Sequence, residues 1–118
     1  MEKLEALARA ALDNDSLLLR SLCQDLVRET PLLEDCTRPE TSDEQVLAAS
    51  ASILELLALR ACQVPPPWTQ EIGPLARPIY LVPSALSMKH LRLLCEKESP
   101  EPLRKRGFYA PPNFLEFA

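Results

Sequence analysis

Glycine is scarce in this chain, which carries only Gly73 and Gly107. A P-loop or a dinucleotide-binding fingerprint needs several glycines at fixed spacing, so neither can be built here. Histidine is scarcer still, because His90 is the only one and any Ser-His-Asp or Cys-His arrangement would have to use it. The helical pattern around His90 favours a surface or half-buried histidine. We therefore predict that the chain is not an enzyme and takes no cofactor.

Closely spaced cysteine pairs are also missing. Cys23, Cys36, Cys62 and Cys95 lie 13, 26 and 33 positions apart, and only one histidine could complete a metal site. This spacing predicts no metal site, since structural zinc sites use Cys-x-x-Cys pairs and further histidines. A disulfide framework is not favoured either, because a domain of this length can build a core without it. Cysteines within helical patterns are expected to pack as small apolar side chains.

The chain has no long run of uncharged apolar residues. Charges within Met1 to Glu5 interrupt the stretch where a signal peptide would need its apolar segment. The most apolar window, Val46 to Cys62, contains Glu55 and Arg60, whereas a membrane span needs about 20 mostly uncharged residues. The sequence thus predicts a cytoplasmic protein that does not enter a membrane, with this window as a buried core helix.

Length and composition predict one domain spanning residues 1–118. The apolar fraction is 47% and the charged fraction 25%, as in ordinary globular proteins. Residues 1–63 hold 6 basic and 12 acidic side chains, whereas residues 64–118 hold 7 basic and 5 acidic ones. The domain therefore divides into an acidic three-helix half, residues 1–63, and a second half with a proline-rich wrap, two helices and an aromatic tail, residues 64–118.

Three helices are predicted in the acidic half. Apolar residues repeat at helical spacing over 2–12 and again over 16–29, where Pro31 ends the second helix and the polar turn at 13–16 caps its start. Thr41 and Glu44 fit a capping box, in which Thr41 is the N-cap of a third helix over 42–63. This third helix is apolar on most faces, so it is expected to be central.

The second half is marked by ten of the twelve prolines. Residues 64–83 are interpreted as an ordered wrap rather than a linker, because they are too apolar for a solvated spacer. Within this wrap Ile79 to Val82 could form one edge strand. A fourth helix is predicted over 84–98, with Leu86, Leu91, Leu94 and Cys95 on its buried side, and Ser99 is expected to cap a short fifth helix. The predicted fold class is all-α: a small orthogonal helical bundle of four to five helices with an extended proline-rich wrap between helices three and four.

Basic and aromatic residues cluster near the C-terminus. Arg104, Lys105 and Arg106 precede Phe108 and Tyr109, and cations beside rings are the parts of a nucleic-acid site. The preferred interpretation is a helix end stabilised by positive charge, followed by aromatics that fix the tail to the core. Aromatic and arginine side chains also anchor protein interfaces most often. The candidate partner-binding residues are Trp68, Arg104, Lys105, Arg106, Phe108 and Tyr109.

Three segments, Pro66–Thr69, Pro78–Val82 and Glu98–Phe108, form a further pattern that residues 14–22 share. In these segments the chain resembles a group of uncharacterised small bacterial proteins, a domain of unknown function. Such proteins are often encoded beside toxin and antitoxin genes, so the resemblance implies an antitoxin-like role that neutralises a protein partner. No functional residues carry over from it.

The sequence thus favours a non-catalytic protein–protein interaction module of bacterial origin, with a protein partner expected and a homodimer left open. One alternative is a nucleic-acid-binding regulator that uses the basic and aromatic C-terminal segment, although an acidic pI near 5.0 disfavours it. The other alternative is an enzyme whose site the sequence does not reveal.

Overall fold

A computed structural model describes residues 3–81, 88–112, 114 and 115. Helices make up 59% of the structure, and the only sheet among the described residues has two very short strands. The predicted all-α class is therefore confirmed. The elements in chain order are α1 (Lys3–Leu12), α2 (Ser16–Glu29), α3 (Glu44–Arg60), β1 (Ile79–Tyr80), α4 (Lys89–Glu98), α5 (Glu101–Arg104) and β2 (Phe108–Tyr109), with 3₁₀ turns at Leu33–Asp35 and Pro67–Glu71.

The polar turn between α1 and α2 serves both helices. Asn14 adopts a left-handed φ of 59°, and the amide of Asp15 donates to the Ala10 carbonyl (3.0 Å), which closes α1 with a Schellman motif. The Asp15 carboxylate then accepts the Leu18 amide (3.2 Å) and caps α2. The predicted α2 bounds are confirmed, but Leu18 is half exposed because α2 turns a narrower face inward than the pattern suggested.

The N-terminal cap of α3 is not the one predicted. Asp43, rather than Thr41, is the N-cap, since its carboxylate accepts the amides of Gln45 (2.9 Å) and Val46 (3.3 Å). Thr41 instead accepts the amide of Asp43 through its hydroxyl (3.1 Å). Both Thr41 and Asp43 can accept backbone amides, and the helix begins after Asp43, which lies nearer the apolar residues of α3. The helix is consequently shorter at both ends than predicted.

The centre of the molecule is α3, whose residues from Ala48 to Ala58 are all buried. Helix α1 packs against both α2 and α3, while α5 and the Pro67–Glu71 turn cover another side of α3. Small side chains at Ala48, Ala49 and Ala51 let these neighbours approach closely. The central position predicted for the third helix is therefore observed.

The wrap that follows α3 is packed against the helices. Pro66 and Thr69 are buried, and the Thr69 hydroxyl donates to the Pro66 carbonyl (2.7 Å). The Trp68 indole donates to the Cys36 carbonyl (2.9 Å), which joins the wrap to the loop after α2. Proline rings and these bonds together hold an otherwise irregular segment in place.

The predicted edge strand pairs with the tail. Ile79 and Tyr80 lie beside Phe108 and Tyr109 in parallel register. Gly107 precedes β2 with a φ of +90°, a conformation that other residues rarely adopt, so a glycine is required there. Val82 lies outside the described residues. Sequence alone predicted the strand but not its partner, because the two segments are far apart in the chain.

The last two helices differ in their starts from the prediction. Helix α4 begins at Lys89, and Ser84 to Ser87 lie outside the described residues. Cys95 is buried on α4 as expected, whereas Leu94 is exposed. Pro100, not Ser99, is the N-cap of α5, because the Ser99 hydroxyl instead accepts the amide of Ala110 (2.9 Å) and fastens the tail.

No helix within the described ranges combines the length and the apolar character that crossing a bilayer requires.

Candidate partner-binding surface

A buried charge cluster joins α3 to the wrap and to α5. Arg106 is only 1% exposed, and its guanidinium donates to Glu55 on α3 (Nη2 to Oε1, 2.8 Å). The same guanidinium donates to three backbone carbonyls, those of Thr69 (2.6 Å), Ile72 (3.1 Å) and Pro102 (3.0 Å). A planar group with five donors suits this set of acceptors, which come from separate segments. Arg106 is thus a structural clamp.

Two further side chains complete the coordination of the Glu55 carboxylate. Lys105 approaches Oε2 (2.7 Å), and Gln70 donates to Oε1 (3.2 Å). Burial raises the pKa of this carboxyl, but the hydrogen bonds and charges of Lys105 and Arg106 outweigh it, so the pKa lies below its ordinary value. Glu55 is therefore a fixed negative charge, and its oxygens are already occupied as acceptors.

The residues predicted to bind a partner do not form one exposed surface. Arg106 and Phe108 are buried, so their side chains serve the fold and offer almost no surface to a partner. Arg104 and Lys105 are exposed, whereas Trp68 and Tyr109 are half-buried. Burial of Phe108 removes one of the rings that base stacking would need, which disfavours the nucleic-acid alternative.

A different surface forms where α3 ends. Cys62 adopts a left-handed φ of 57°, and the amide of Gln63 donates to the Ala58 carbonyl (2.8 Å), which is a Schellman motif without glycine. The chain therefore reverses direction directly after the helix. This turn places Gln63 and Val64 beside the last turn of α3.

The Gln63 side chain fixes the neighbouring loop. Its carbonyl oxygen accepts the Leu33 amide (2.9 Å), and its amide group donates to the Pro31 carbonyl (3.1 Å). Arg60, one turn earlier, donates to the carbonyls of Pro112 (3.2 Å) and Phe114 in the tail. The end of α3 is thus a junction at which the loop after α2, the start of the wrap and the tail are all held by hydrogen bonds.

Large apolar side chains stand exposed around this junction. We call Val27, Leu32, Leu59 and Val64 the Gln63 patch, because Gln63 lies among them. The exposed fraction is 42% for Val27, 60% for Leu32, 63% for Leu59 and 64% for Val64. Single exposed apolar residues are common, but several around one hydrogen-bonded junction are typical of a surface that contacts another molecule.

Two depressions flank the patch and share Gln63 in their walls. The first has a volume of about 220 Å³ and is lined by Glu55, Leu59, Gln63, Pro65, Glu101 and Pro102. The second has a volume of about 170 Å³ and includes Val27, Pro31, Ala61 and Leu115 in its lining. Each is large enough to receive one side chain of a partner. The patch therefore combines exposed apolar side chains with depressions that could receive them from a partner.

The remaining candidates for chemistry lie apart from one another. His90 is exposed on α4, and no group of three His, Cys, Asp or Glu side chains within the described ranges is arranged to hold a metal ion. None of the four cysteines forms a disulfide. Burial raises the pKa of Cys23 to about 12, and burial followed by the charge of Glu96 raises that of Cys95.

Sequence reasoning missed both Glu55 and the Gln63 patch. Glu55 is the one acidic residue in the most apolar stretch of the chain, and a buried charge requires a partner. That was the available signal for a partner such as Arg106. No comparable signal marked Leu59, which continues the apolar pattern of α3 and looks like another core residue.

Comparison with known proteins found no matching family model, no matching curated protein and no matching solved structure.

Proposed function

We propose that this chain is a non-catalytic protein–protein interaction module that contacts its partner through the Gln63 patch. The observation that carries the proposal is the exposure of Leu32, Leu59 and Val64 around a junction whose backbone is fixed by Gln63 and Arg60. A surface that is already ordered loses little conformational freedom when a partner binds, which favours affinity.

Burial of the patch would supply part of the free energy of a specific contact. Burying one Leu or Val side chain completely contributes about 1.5–3 kcal/mol. Leu59 and Val64, each more than 60% exposed, could together contribute about 2–4 kcal/mol on burial. Contributions of this size are typical of the few residues that dominate an interface.

Three titratable groups carry pKa shifts that do not suit thiol or acid catalysis. A nucleophilic cysteine needs a lowered pKa, but the pKa values of Cys23 and Cys95 are raised. A general acid of the carboxyl type needs a raised pKa, but that of Glu55 is lowered. The directions of these shifts are opposite to those that thiol or acid catalysis would use.

The resemblance to small bacterial proteins adds a narrower form of this proposal. In that form the chain is bacterial, acts in the cytoplasm and is antitoxin-like, with a toxin as the partner that occupies the patch. The exposed members of the originally predicted set, Arg104 and Lys105, would then lie at the edge of the contact rather than at its centre.

Affinity capture from the native host tests the proposal when it compares matched variants. The first bait carries Leu59→Ser and Val64→Ser, and the control bait carries Leu17→Ser and Leu18→Ser, which alter an equal number of exposed apolar residues at the far end of α2. We expect a protein retained by the wild-type and control baits to be reduced at least about tenfold on the patch bait. Equal retention by all three baits would refute the proposal.

A further inference from the structure

The depression beside Leu59 combines two kinds of lining. Leu59, Pro65 and Pro102 form apolar walls, while Glu55 and Glu101 supply carboxylates. Among the described residues no cationic side chain is part of this lining, and Lys105 pairs with the Glu55 carboxylate from beside it (Nζ to Oε2, 2.7 Å). Lysine and arginine have the matching structure, an aliphatic stem that packs on apolar walls and a charged end that pairs with carboxylates.

The two carboxylates differ in how they are engaged. Glu55 is coordinated by Arg106 and Lys105, so its charge is largely balanced. The Glu101 side chain is exposed, and no ion pair or hydrogen bond from the described part of the chain engages its carboxylate. Glu101 is therefore the group that gains a new ion pair when a cation enters, whereas the Glu55 oxygens at the inner wall are already engaged by Arg106, Lys105 and Gln70.

The apolar surface beside the depression indicates that the ligand is larger than a single amine. Its wall at Leu59 continues into the exposed Gln63 patch, and Val64 lies between two other lining residues, Gln63 and Pro65. A free amine would fill the depression of about 220 Å³ but leave these apolar side chains in water. A polypeptide can cover both, because residues next to its cation reach the patch.

We infer that the depression receives a lysine or arginine side chain from a partner polypeptide, whose adjacent apolar residues cover Leu59 and Val64. This inference rests on the proposed function and specifies the partner's chemistry. The acidic balance of residues 1–63, with 12 acidic against 6 basic side chains, attracts such a segment from a distance. Charge complementarity then fixes its register on the patch.

Selection of random dodecapeptides against the full chain tests the inference. We expect enriched peptides to carry Lys or Arg within about one helical turn of a large apolar residue. Binding of an enriched peptide should weaken about threefold to tenfold in Glu101→Gln. The control Glu98→Gln removes an exposed carboxylate from α4, outside the depression, and should leave binding unchanged.

A double-mutant cycle locates the contact. Replacing the basic residue of the peptide by norleucine should weaken binding, and Glu101→Gln should then cause no further loss. Circular dichroism of each variant confirms that the fold is retained.

The outcomes separate the inference from the proposed function. Enriched peptides that lack Lys and Arg but lose binding in Leu59→Ser would overturn the inference and leave the proposed function standing. If no peptide is enriched, or if the enriched peptides bind Leu59→Ser and Val64→Ser as well as wild type, both the inference and the proposed function would be overturned. A dimer of this chain that Leu59→Ser dissociates would also overturn the inference, because a second copy would then occupy the patch.

Discussion

Replacing Arg106 by methionine should destabilise the protein severely although the residue sits in a run of three basic residues. Arg106→Met fills a similar volume but removes the buried one of the two charge partners of Glu55, leaving Lys105. It also removes the donors to Thr69, Ile72 and Pro102. These acceptors belong to three segments, so the change loosens the contact of the wrap with α3 and α5. The fold is therefore expected to lose cooperativity in its C-terminal half.

The size of the effect follows from the burial of the pair. Removing one partner of a buried, hydrogen-bonded ion pair costs about 3–5 kcal/mol. A domain of this length has a free energy of unfolding of about 5–15 kcal/mol, so a large share of the stability is lost. With a urea dependence of about 1.5 kcal/mol per molar, the unfolding midpoint falls by about 2–3 M.

Urea unfolding followed by far-UV circular dichroism measures this change in a double-mutant cycle. Glu55→Met combined with Arg106→Met should cost less than the sum of the two single changes by about 1–3 kcal/mol, because no unpaired charge remains buried. The exposed pair Glu5–Arg9 on α1 is the control, with a coupling of about 0.3–0.5 kcal/mol. Additive costs for Glu55 and Arg106, or an Arg106→Met midpoint within error of wild type, would refute the reasoning.

Further predictions concern titration and the end of α3. The pKa of Glu55 lies below 4.5 in the folded chain, so its ion pairs stabilise the fold above pH 4.5, and this stabilisation is lost as the pH falls through the folded-state pKa. The melting temperature should therefore fall more steeply below pH 4.5 in wild type than in Glu55→Gln, and equal slopes would contradict this. Cys62→Gly should stabilise the protein by about 0.5–1 kcal/mol, because glycine adopts the left-handed φ without steric cost, and an unchanged or lower urea midpoint would contradict this. A disulfide reagent should modify Cys62 in the native protein and reach the buried Cys23 and Cys95 only on unfolding, whereas equal rates for all three would be inconsistent with their burial. The hydrogen bond from the Tyr80 hydroxyl to Glu96 raises the pKa of Tyr80 to about 12, so ultraviolet titration should find one tyrosine that ionises near pH 12. If both tyrosines ionised at about pH 10, this hydrogen bond would be contradicted.

Local signals predicted the helices well. Pro31 disfavours helical geometry just before it, and α2 ends at Glu29 as expected. The capping of α3 was predicted less well, because Thr41 and Asp43 can both accept backbone amides and their order of preference depends on where packing begins. Local chemistry thus locates a helix but does not choose between adjacent caps.

Contacts between distant segments account for what the sequence did not predict. Arg106 looks like a surface residue because Arg104 and Lys105 precede it, and the carbonyls that accept its hydrogen bonds are brought together only by the fold. The pairing of β1 with β2 is likewise non-local. The Gln63 patch depends on the same tertiary arrangement, since Leu32 and Leu59 come from different segments and the Gln63 side chain is what holds the loop of Leu32 at the end of α3.

Photo-cross-linking in the native host tests the central claim most directly. A benzoylphenylalanine placed at Val64, which is 64% exposed, reports on the patch, and the same group at Leu17, which is 81% exposed, reports on an apolar position outside it. The account predicts a covalent adduct with one protein from position 64 and none from position 17. An adduct from position 17 alone, or no adduct from position 64, would contradict it.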